Sequence, residues 1–355
     1  MWGSEKFKLM EFLMKVYLKV LVALLLVGTL VASSMASGCV RKKERGEPIG
    51  MAVEFMNHAA CAYIARDKAW FREEGLELST YESYVTGMAL AAALARGDIE
   101  VAYICLVPAI NVYANAKVPI KIIAGTHKYG YGLVVNPDKV KVVEDLEKPS
   151  IRVGCVREGG AVDVLLNRTI DRYGLEQGKI LNKVQRMNPP KQILAIKMGQ
   201  LDAAFLPEQW ATMAEEFGFK IFFTSRDIWP QMQGSVLVVK EELIKSYPQL
   251  VRRLVKVSQK ATDWTNEHPA EASEVMSRVL QATGEKIFPV KAAKMAAKLE
   301  ITPALMSRSM NRLEYSTDID PKVVQQTIDY MVGLGYIKEG IKAEDILDLR
   351  FLHNE

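Results

Sequence analysis

The amino-acid sequence predicts an α/β chain of two Rossmann-like lobes with a ligand cleft between them, joined by two crossover strands. Three observations predict it. Strand-like runs alternate with helix-like ones, which implies parallel sheets. A unit repeats at a spacing of about 100 residues. The 355 residues also exceed one typical domain, so two lobes are the natural arrangement.

The repeat carries most of this reading. Leu90–Ala102, LAAALARGDIEVA, aligns with Gln192–Ala204, QILAIKMGQLDAA, placing Gly97 over Gly199, Glu100 over Asp202 and Ala102 over Ala204. Each copy is a helix-forming run that ends at a Gly able to take the left-handed cap, followed by an acidic turn residue and a short apolar strand. At nearly the same offset Met51–Phe55 matches Ile151–Val156. Two units of this size are too few for a solenoid and large enough to be lobes. Tyr131–Val135 and Ser235–Val239 are β-rich runs suited to carry the chain out of the first lobe and back. Helices are expected to start at Pro248, Pro269 and Asp320-Pro321. The expected organisation is a signal segment over residues 1–38, a lipid-bearing Cys39 with a tether over 39–47, lobe one over 48–133 plus 236–355, and lobe two over 134–235.

The beginning of the chain reads as an export signal. Lys6, Lys8, Lys15 and Lys19 precede an apolar run from Val20 to Val31, and small residues follow up to Ser37-Gly38-Cys39. The run is shorter than the ~20 residues that a spanning helix needs. Met14 is an alternative start. A plain secretory signal with Cys39 as an incidental thiol, and an uncleaved signal anchor, are the competing readings; all three place residues 40–355 outside the cytoplasm. The four Lys and two acidic residues of 1–38 leave with the signal, so the net charge falls from +4 to +2, and no basic patch suggests nucleic acid. Arg41–Arg45 reads as a solvated tether beside anionic headgroups. Cys61, Cys105 and Cys155 are too few for a disulfide scaffold.

Ligands of open α/β sheets bind at the carboxyl ends of the strands, where helix N-termini present unpaired N–H groups. That logic brings to the cleft the loops Met56–Cys61, Tyr84–Met88, Ile104–Pro108, Arg157–Ala161 and Leu206–Trp210. The expected ligand-binding residues are Asn57, His58, Tyr84, Thr86, Gly87, Cys105, Arg157, Gly159, Gly160, Glu208 and Trp210. Thr86 and Gly87 open a helix whose amides suit an oxyanion, or simply cap it. Arg157, before Gly159-Gly160, is the candidate cation, with a fork that matches sulfonate, carboxylate or nitrate oxygens. Tyr84, Tyr129, Trp210 and Trp229 are candidate apolar walls, or core. His58 among the three cysteines raises a soft-metal or thiol-reactive pocket, but the spacing matches no metal motif, so neither metal nor cofactor is expected.

Ala65–Leu76, Ala93–Gly97 with Glu100-Val101-Ala102, Gly199–Ala204, Tyr247-Pro248 and Trp264 together resemble the nitrate/sulfonate/taurine family of ABC-transporter substrate-binding lipoproteins, which also includes binders of thiamine pyrimidine precursors. The resemblance runs through nearly the whole mature chain and rests on order and spacing. It implies the type II periplasmic-binding-protein fold, closure of two lobes on a small solute, and delivery to an ABC permease and its ATPase. Ala36-Ser37-Gly38-Cys39 is similar to the lipoprotein cleavage box, with Ala where Leu is preferred. Ala69 replaces the family's Gly before the aromatic of the first helix, the Ser-rich anion loop is reduced to Thr86-Gly87, and Glu-Pro appears as Pro207-Glu208.

These readings together describe a monomeric, lipid-anchored extracytoplasmic solute-binding protein for a small, anionic solute of the sulfonate, taurine, nitrate or bicarbonate type. The alternatives are a binder of a pyrimidine precursor or another heteroaromatic solute, an enzyme like the pyrimidine-precursor synthases, or a sensory module. The sequence has no G-x-S-x-G, H-E-x-x-H, P-loop or G-x-G-x-x-G motif and four histidines, which argues against an enzyme.

Overall fold

A computed structural model of the chain describes residues 48–287 and 300–352. The signal segment, Cys39 and the tether lie outside these residues. In chain order the strands are β1 (Ile49–Glu54), β2 (Leu78–Tyr84), β3 (Val101–Cys105), β4 (Ile120–Lys128), β5 (Tyr131–Val135), β6 (Val153–Cys155), β7 (Gln185–Arg186), β8 (Ala203–Pro207), β9 (Lys220–Thr224), β10 (Gln233–Lys240) and β11 (Glu314–Tyr315). The main helices are α1 (Ala60–Asp67), α2 (Trp70–Glu73), α3 (Gly87–Arg96), α4 (Leu106–Ala116), α5 (Ala161–Tyr173), α6 (Pro189–Lys197), α7 (Glu208–Glu215), α8 (Pro248–Glu267), α9 (Pro269–Ile287), α10 (Pro303–Met310) and α11 (Pro321–Gly333).

They form two sheets. The first has the order β11-β4-β10-β3-β1-β2 and the second β7-β6-β8-β5-β9. In the first, β2, β1 and β3 run parallel and β10 returns antiparallel between β3 and β4. The second repeats this with β7, β6 and β8 parallel and β5 antiparallel beside β8. Inner strands of both sheets carry uninterrupted buried apolar runs, as in Val101–Cys105 and Ala203–Pro207, because helices cover them on both faces, whereas the edge strands β2 and β9 are partly exposed. The expected alternation of strand and helix is present, and the helices do begin at Pro248, Pro269 and Pro321.

The repeat has a mechanical cause. In lobe one, Glu100 Oε2 accepts the Gly50 N–H at 2.6 Å, while the Glu100 N–H bonds Gly50 O at 2.9 Å. In lobe two, Asp202 Oδ2 accepts the Arg152 N–H at 3.0 Å, and the Asp202 N–H bonds Arg152 O at 2.9 Å. Each acidic turn residue therefore pins the entry of its sheet's first strand to the turn before its next parallel strand. Gly97 (φ 96°) and Gly199 (φ 65°) take the left-handed conformation that ends the preceding helices.

The two β-rich runs expected to carry the chain across lie inside the sheets. All of β5 belongs to the second sheet and all of β10 to the first. The crossings are the shorter links before them. Tyr129 (φ 65°), Gly130 (φ 91°) and Gln231 (φ 71°) all have positive φ, and the Tyr129 N–H bonds Met232 O at 2.9 Å, so the outgoing and returning chains hold each other.

Two stability predictions follow from this layer. Asp202 is 1 % exposed and accepts Lys139 Nζ at 2.6 Å and the Arg152 guanidinium at 2.8 Å twice. Burial alone would raise its pKa, but these bonds hold it well below the usual carboxylate range. Asp202→Asn should destabilise the protein by about 2–4 kcal/mol in urea denaturation. Because the folded pKa is depressed, that contribution is complete above the unfolded carboxylate pKa of ~3.9 and is lost as pH falls towards the folded value; the wild-type and variant midpoints should converge in acid. Ala69 stands in the left-handed region, φ 59°, which costs a residue with a Cβ about 1–2 kcal/mol. Ala69→Gly should therefore raise stability by about 0.5–1 kcal/mol, less than the strain because Gly is freer when unfolded; a lower melting temperature would contradict this.

Candidate functional site

A cavity of about 650 Å³ opens between the strand ends of the two sheets. Lobe one lines it with Glu54, Met56, Val85, Thr86, Gly87, Met88, Cys105 and Pro108, and lobe two with Tyr131, Val156, Arg157, Gly160, Arg186, Met187, Asn188, Lys191 and Pro207.

The floor is built by strand register. Glu54 ends β1 and Cys105 ends β3. Ser235 of β10 stands opposite Cys105, and His127 of β4 opposite Ser235. His58 follows in the short turn after β1. The Cys105 N–H donates to Glu54 Oε1 at 2.9 Å and the Cys105 thiol to Glu54 Oε2 at 2.9 Å. Tyr131 reaches from lobe two and donates its hydroxyl to Cys105 Sγ at 3.0 Å, and the Ser235 hydroxyl adds a longer contact at 3.5 Å. His58 Nε2 bonds Gly130 O at 2.8 Å, leaving Nδ1 towards Cys105 Sγ at 3.9 Å. His127 lies over His58, ring centroids 4.2 Å apart.

No cation neutralises Glu54 among the described residues. Burial pushes its pKa up to about 7, against the lowering effect of the two bonds from Cys105. Burial holds His58 well below the usual imidazole range and brings His127 down to about 3, so both rings are neutral. Burial, reinforced by the Glu54 charge, raises the Cys105 thiol. Burial thus disfavours positive charge on both rings of the floor.

The Thr86-Gly87 helix start proves to be filled from within. Thr86 caps α3, accepting the Ala89 N–H at 3.3 Å. Glu54 lies so close to Gly87 that a Cβ there would stand 2.2 Å from Glu54 Oε1. The same carboxylate bonds the N-cap amide of α4. An internal carboxylate therefore occupies the position between two helix N-termini where a solute oxyanion would otherwise sit.

Positive charge comes from the opposite wall. Arg157 is exposed and lines the cavity, with no salt-bridge partner among the described residues. Gly159 (φ 76°) turns the chain, donating its N–H to Asp163 Oδ2 at 3.1 Å, and Gly160 caps α5. Arg186 is tied to buried Asp163 and to Val156 O, while Lys191 follows the Asn188 cap of α6.

Of the expected residues, Thr86, Gly87, Cys105, Arg157 and Gly160 line the cavity together. His58 lies beneath Cys105. Asn57 is buried at a junction, its N–H bonded to Gln209 Oε1 at 2.9 Å and its Nδ2 to Ser309 Oγ at 2.6 Å. Tyr84 bonds Glu82 away from the cavity. Glu208 faces Thr212 at 2.7 Å and Arg312 at 3.1 Å; burial raises its pKa to about 7 despite both. Trp210 is buried against Phe55. Cys61 and Cys155 are buried free thiols off the cavity. Sequence reasoning missed Glu54, Tyr131 and the Arg186–Lys191 segment.

This architecture has solved counterparts. The ligand-binding component of an ABC-type import system from Staphylococcus aureus, with zinc bound, superposes at TM-score 0.70 with 15% identity, covering 86% of this chain and 98% of that one. The periplasmic aliphatic sulphonate binding protein of Escherichia coli superposes at 0.67 with 14% identity, covering 85% and 97%. At these identities the likeness establishes the fold, that of the periplasmic binding proteins. In sequence, the taurine-binding periplasmic protein of E. coli is 22% identical over 217 residues, 60% of this chain and 65% of its own length, so the match spans less than two thirds of that relative. The family model described as NMT1-like matches residues 42–280, and the chain belongs to the NMT1-like family.

Proposed function

We propose that this protein is the solute-binding component of an ABC importer, which captures a small solute between its lobes and hands it to a permease. The observation that carries the reading is the cavity itself. It is lined from both sheets at their strand ends, it has room for a small organic molecule, and its walls differ in charge. Arg157 and Lys191 offer the cations for an anionic group, with Arg186 held behind them by Asp163. A ligand that touches both walls stabilises the closed arrangement by its differential contacts. The names of the taurine and sulphonate relatives support a sulfonate-type solute.

A second reading has its own support. Because Glu54 fills the niche of the Thr86-Gly87 helix start, the solute end that faces lobe one should present hydrogen-bond donors. An amino-bearing heteroaromatic solute, with or without an acidic group, satisfies that wall. A thermal-shift screen over taurine, alkyl and aryl sulfonates, nitrate, bicarbonate and aminopyrimidines separates the readings, since a ligand at 100 times its Kd adds about 2.7 kcal/mol of stability. Arg157→Ala should weaken an anionic hit more than tenfold by calorimetry. An unchanged dissociation constant for every anionic hit would remove Arg157 from the site.

The same reading places the protein on the outer face of the cytoplasmic membrane through a lipid on Cys39, beside its permease. Mass spectrometry of the membrane-extracted protein should find Cys39 as a lipidated N-terminus. Recovery of peptides from residues 1–38 in the same fraction would replace the lipid anchor with an uncleaved signal.

A further inference from the structure

The solute readings use the basic wall and the Glu54 carboxylate but not its grouping with His58 and Cys105. Glu54, His58 and Cys105 each offer one ligand atom, these atoms all lie within 4.8 Å of one another, and all three residues are buried. Glu54 and Cys105 border the cavity. We propose that these three side chains form a binding site for a borderline divalent transition-metal ion of the zinc class, with a further coordination position facing the cavity.

The donor set carries the argument. One carboxylate oxygen, one imidazole nitrogen and one thiolate sulfur suit zinc-class ions, whereas calcium and magnesium require all-oxygen shells. The surroundings already prepare each donor. His58 Nε2 bonds Gly130 O at 2.8 Å, which places the ring proton there and leaves Nδ1 as a lone pair towards Cys105; a bond of this kind fixes the tautomer of metal-binding histidines. Glu54 Oε1 is held by the Cys105 N–H, so Oε2 is the oxygen that faces the sulfur. Two hydroxyls, Tyr131 and Ser235, direct their donors at Cys105 Sγ, which holds the sulfur in place at the floor.

Tetrahedral shells with bonds of ~2.0–2.3 Å put neighbouring donors roughly 3.3–3.7 Å apart. The present separations are 2.9 Å between sulfur and carboxylate and 3.9 Å between sulfur and imidazole, and all three ligand atoms lie within 4.8 Å of one another, so closing the shell requires the donors to rearrange by roughly 1 Å. On binding, the Cys105 S–H bond breaks, its electron pair becomes the metal–sulfur bond, and the proton leaves to solvent. No oxidant or reductant is needed. Three protein ligands then leave an open position from which the cavity is reached, where a carboxylate, sulfonate or amine of a solute would complete the coordination.

The test uses the full-length chain, stripped with EDTA and titrated with Co2+ and with Zn2+. One ion per chain should bind, and the Co2+ form should show a thiolate-to-cobalt charge-transfer band in the near ultraviolet. Cys105→Ala should abolish the band, Glu54→Gln should weaken Zn2+ at least tenfold in a chelator competition, and Cys155→Ala, on the other sheet, should keep both. A missing band, or one that survives Cys105→Ala, overturns the site. Should Cys105→Ala fail to fold, the near-isosteric Glu54→Gln decides alone, and unchanged Zn2+ affinity overturns the site. Solute binding repeated in EDTA keeps the two readings apart, because loss of the ion there leaves the importer reading standing.

Discussion

The buried carboxylate of Glu54 is the constraint around which the cleft is arranged. An ionised carboxylate taken out of water without a cation costs several kcal/mol, so the fold surrounds this one with donors. The α4 N-cap amide and the Cys105 thiol both point at it, and Gly87 stands at the start of α3 because any side chain there would collide with it. The donors do not fully offset burial, and the pKa rests near 7. Glu54 thereby inverts the usual polarity of such a cleft. The helix ends that would attract an anion are already answered, and the cations that line the cavity without a salt-bridge partner among the described residues, Arg157 and Lys191, stand on the far wall.

The same floor ties the lobes to each other. Tyr131 begins β5, directly after the Tyr129-Gly130 crossing, yet its hydroxyl ends on Cys105 of the first sheet. Gly130 in turn accepts from His58 and from the Glu208 N–H of the second lobe. Any rotation of the second sheet about the crossings moves Tyr131 and therefore changes what Cys105 Sγ is offered. The Tyr131 hydroxyl and the Gly130 carbonyl thus join the floor to the second sheet, beside the Asn57 N–H bond to Gln209.

The architecture was legible because it is written in periodic, local signals. An Ala/Leu-rich run, a Gly, an acidic residue and an apolar strand recur in both lobes, and the structure supplies the reason for the acidic residue: Glu100 and Asp202 each fasten a backbone N–H one strand away. The cleft was legible to the extent that it follows from strand ends, which is why Thr86, Gly87, Cys105, Arg157 and Gly160 came together. Glu54 was not, since a lone acid at the end of an apolar strand reads as an ordinary surface residue; its role depends on Cys105, 51 positions later. Arg186 ends a two-residue strand too short for any pattern, and Lys191 lies in the first turn of the helix that follows. Trp210 and Glu208 follow the correct strand, but α7 starts without a connecting turn and directs them towards Phe55 and towards Arg312, 104 positions away.

A stability argument separates this floor from ordinary core. Replacing a buried ionic or polar cluster with well-packed apolar residues is often neutral or stabilising by about 1–4 kcal/mol, and Glu54, His58, Cys105 and His127 sit where apolar side chains would fill the same layer under the cavity. Elsewhere the buried charges meet full partners, as Asp202 does with Arg152 and Lys139. At the floor they do not: Glu54 faces a thiol instead of a cation, and His127 Nε2 is buried with no partner among the described residues. Buried polar groups left short of partners are exceptions in folded proteins and call for a specific cause. The unpaired capacity of the floor therefore marks it off from the core around it.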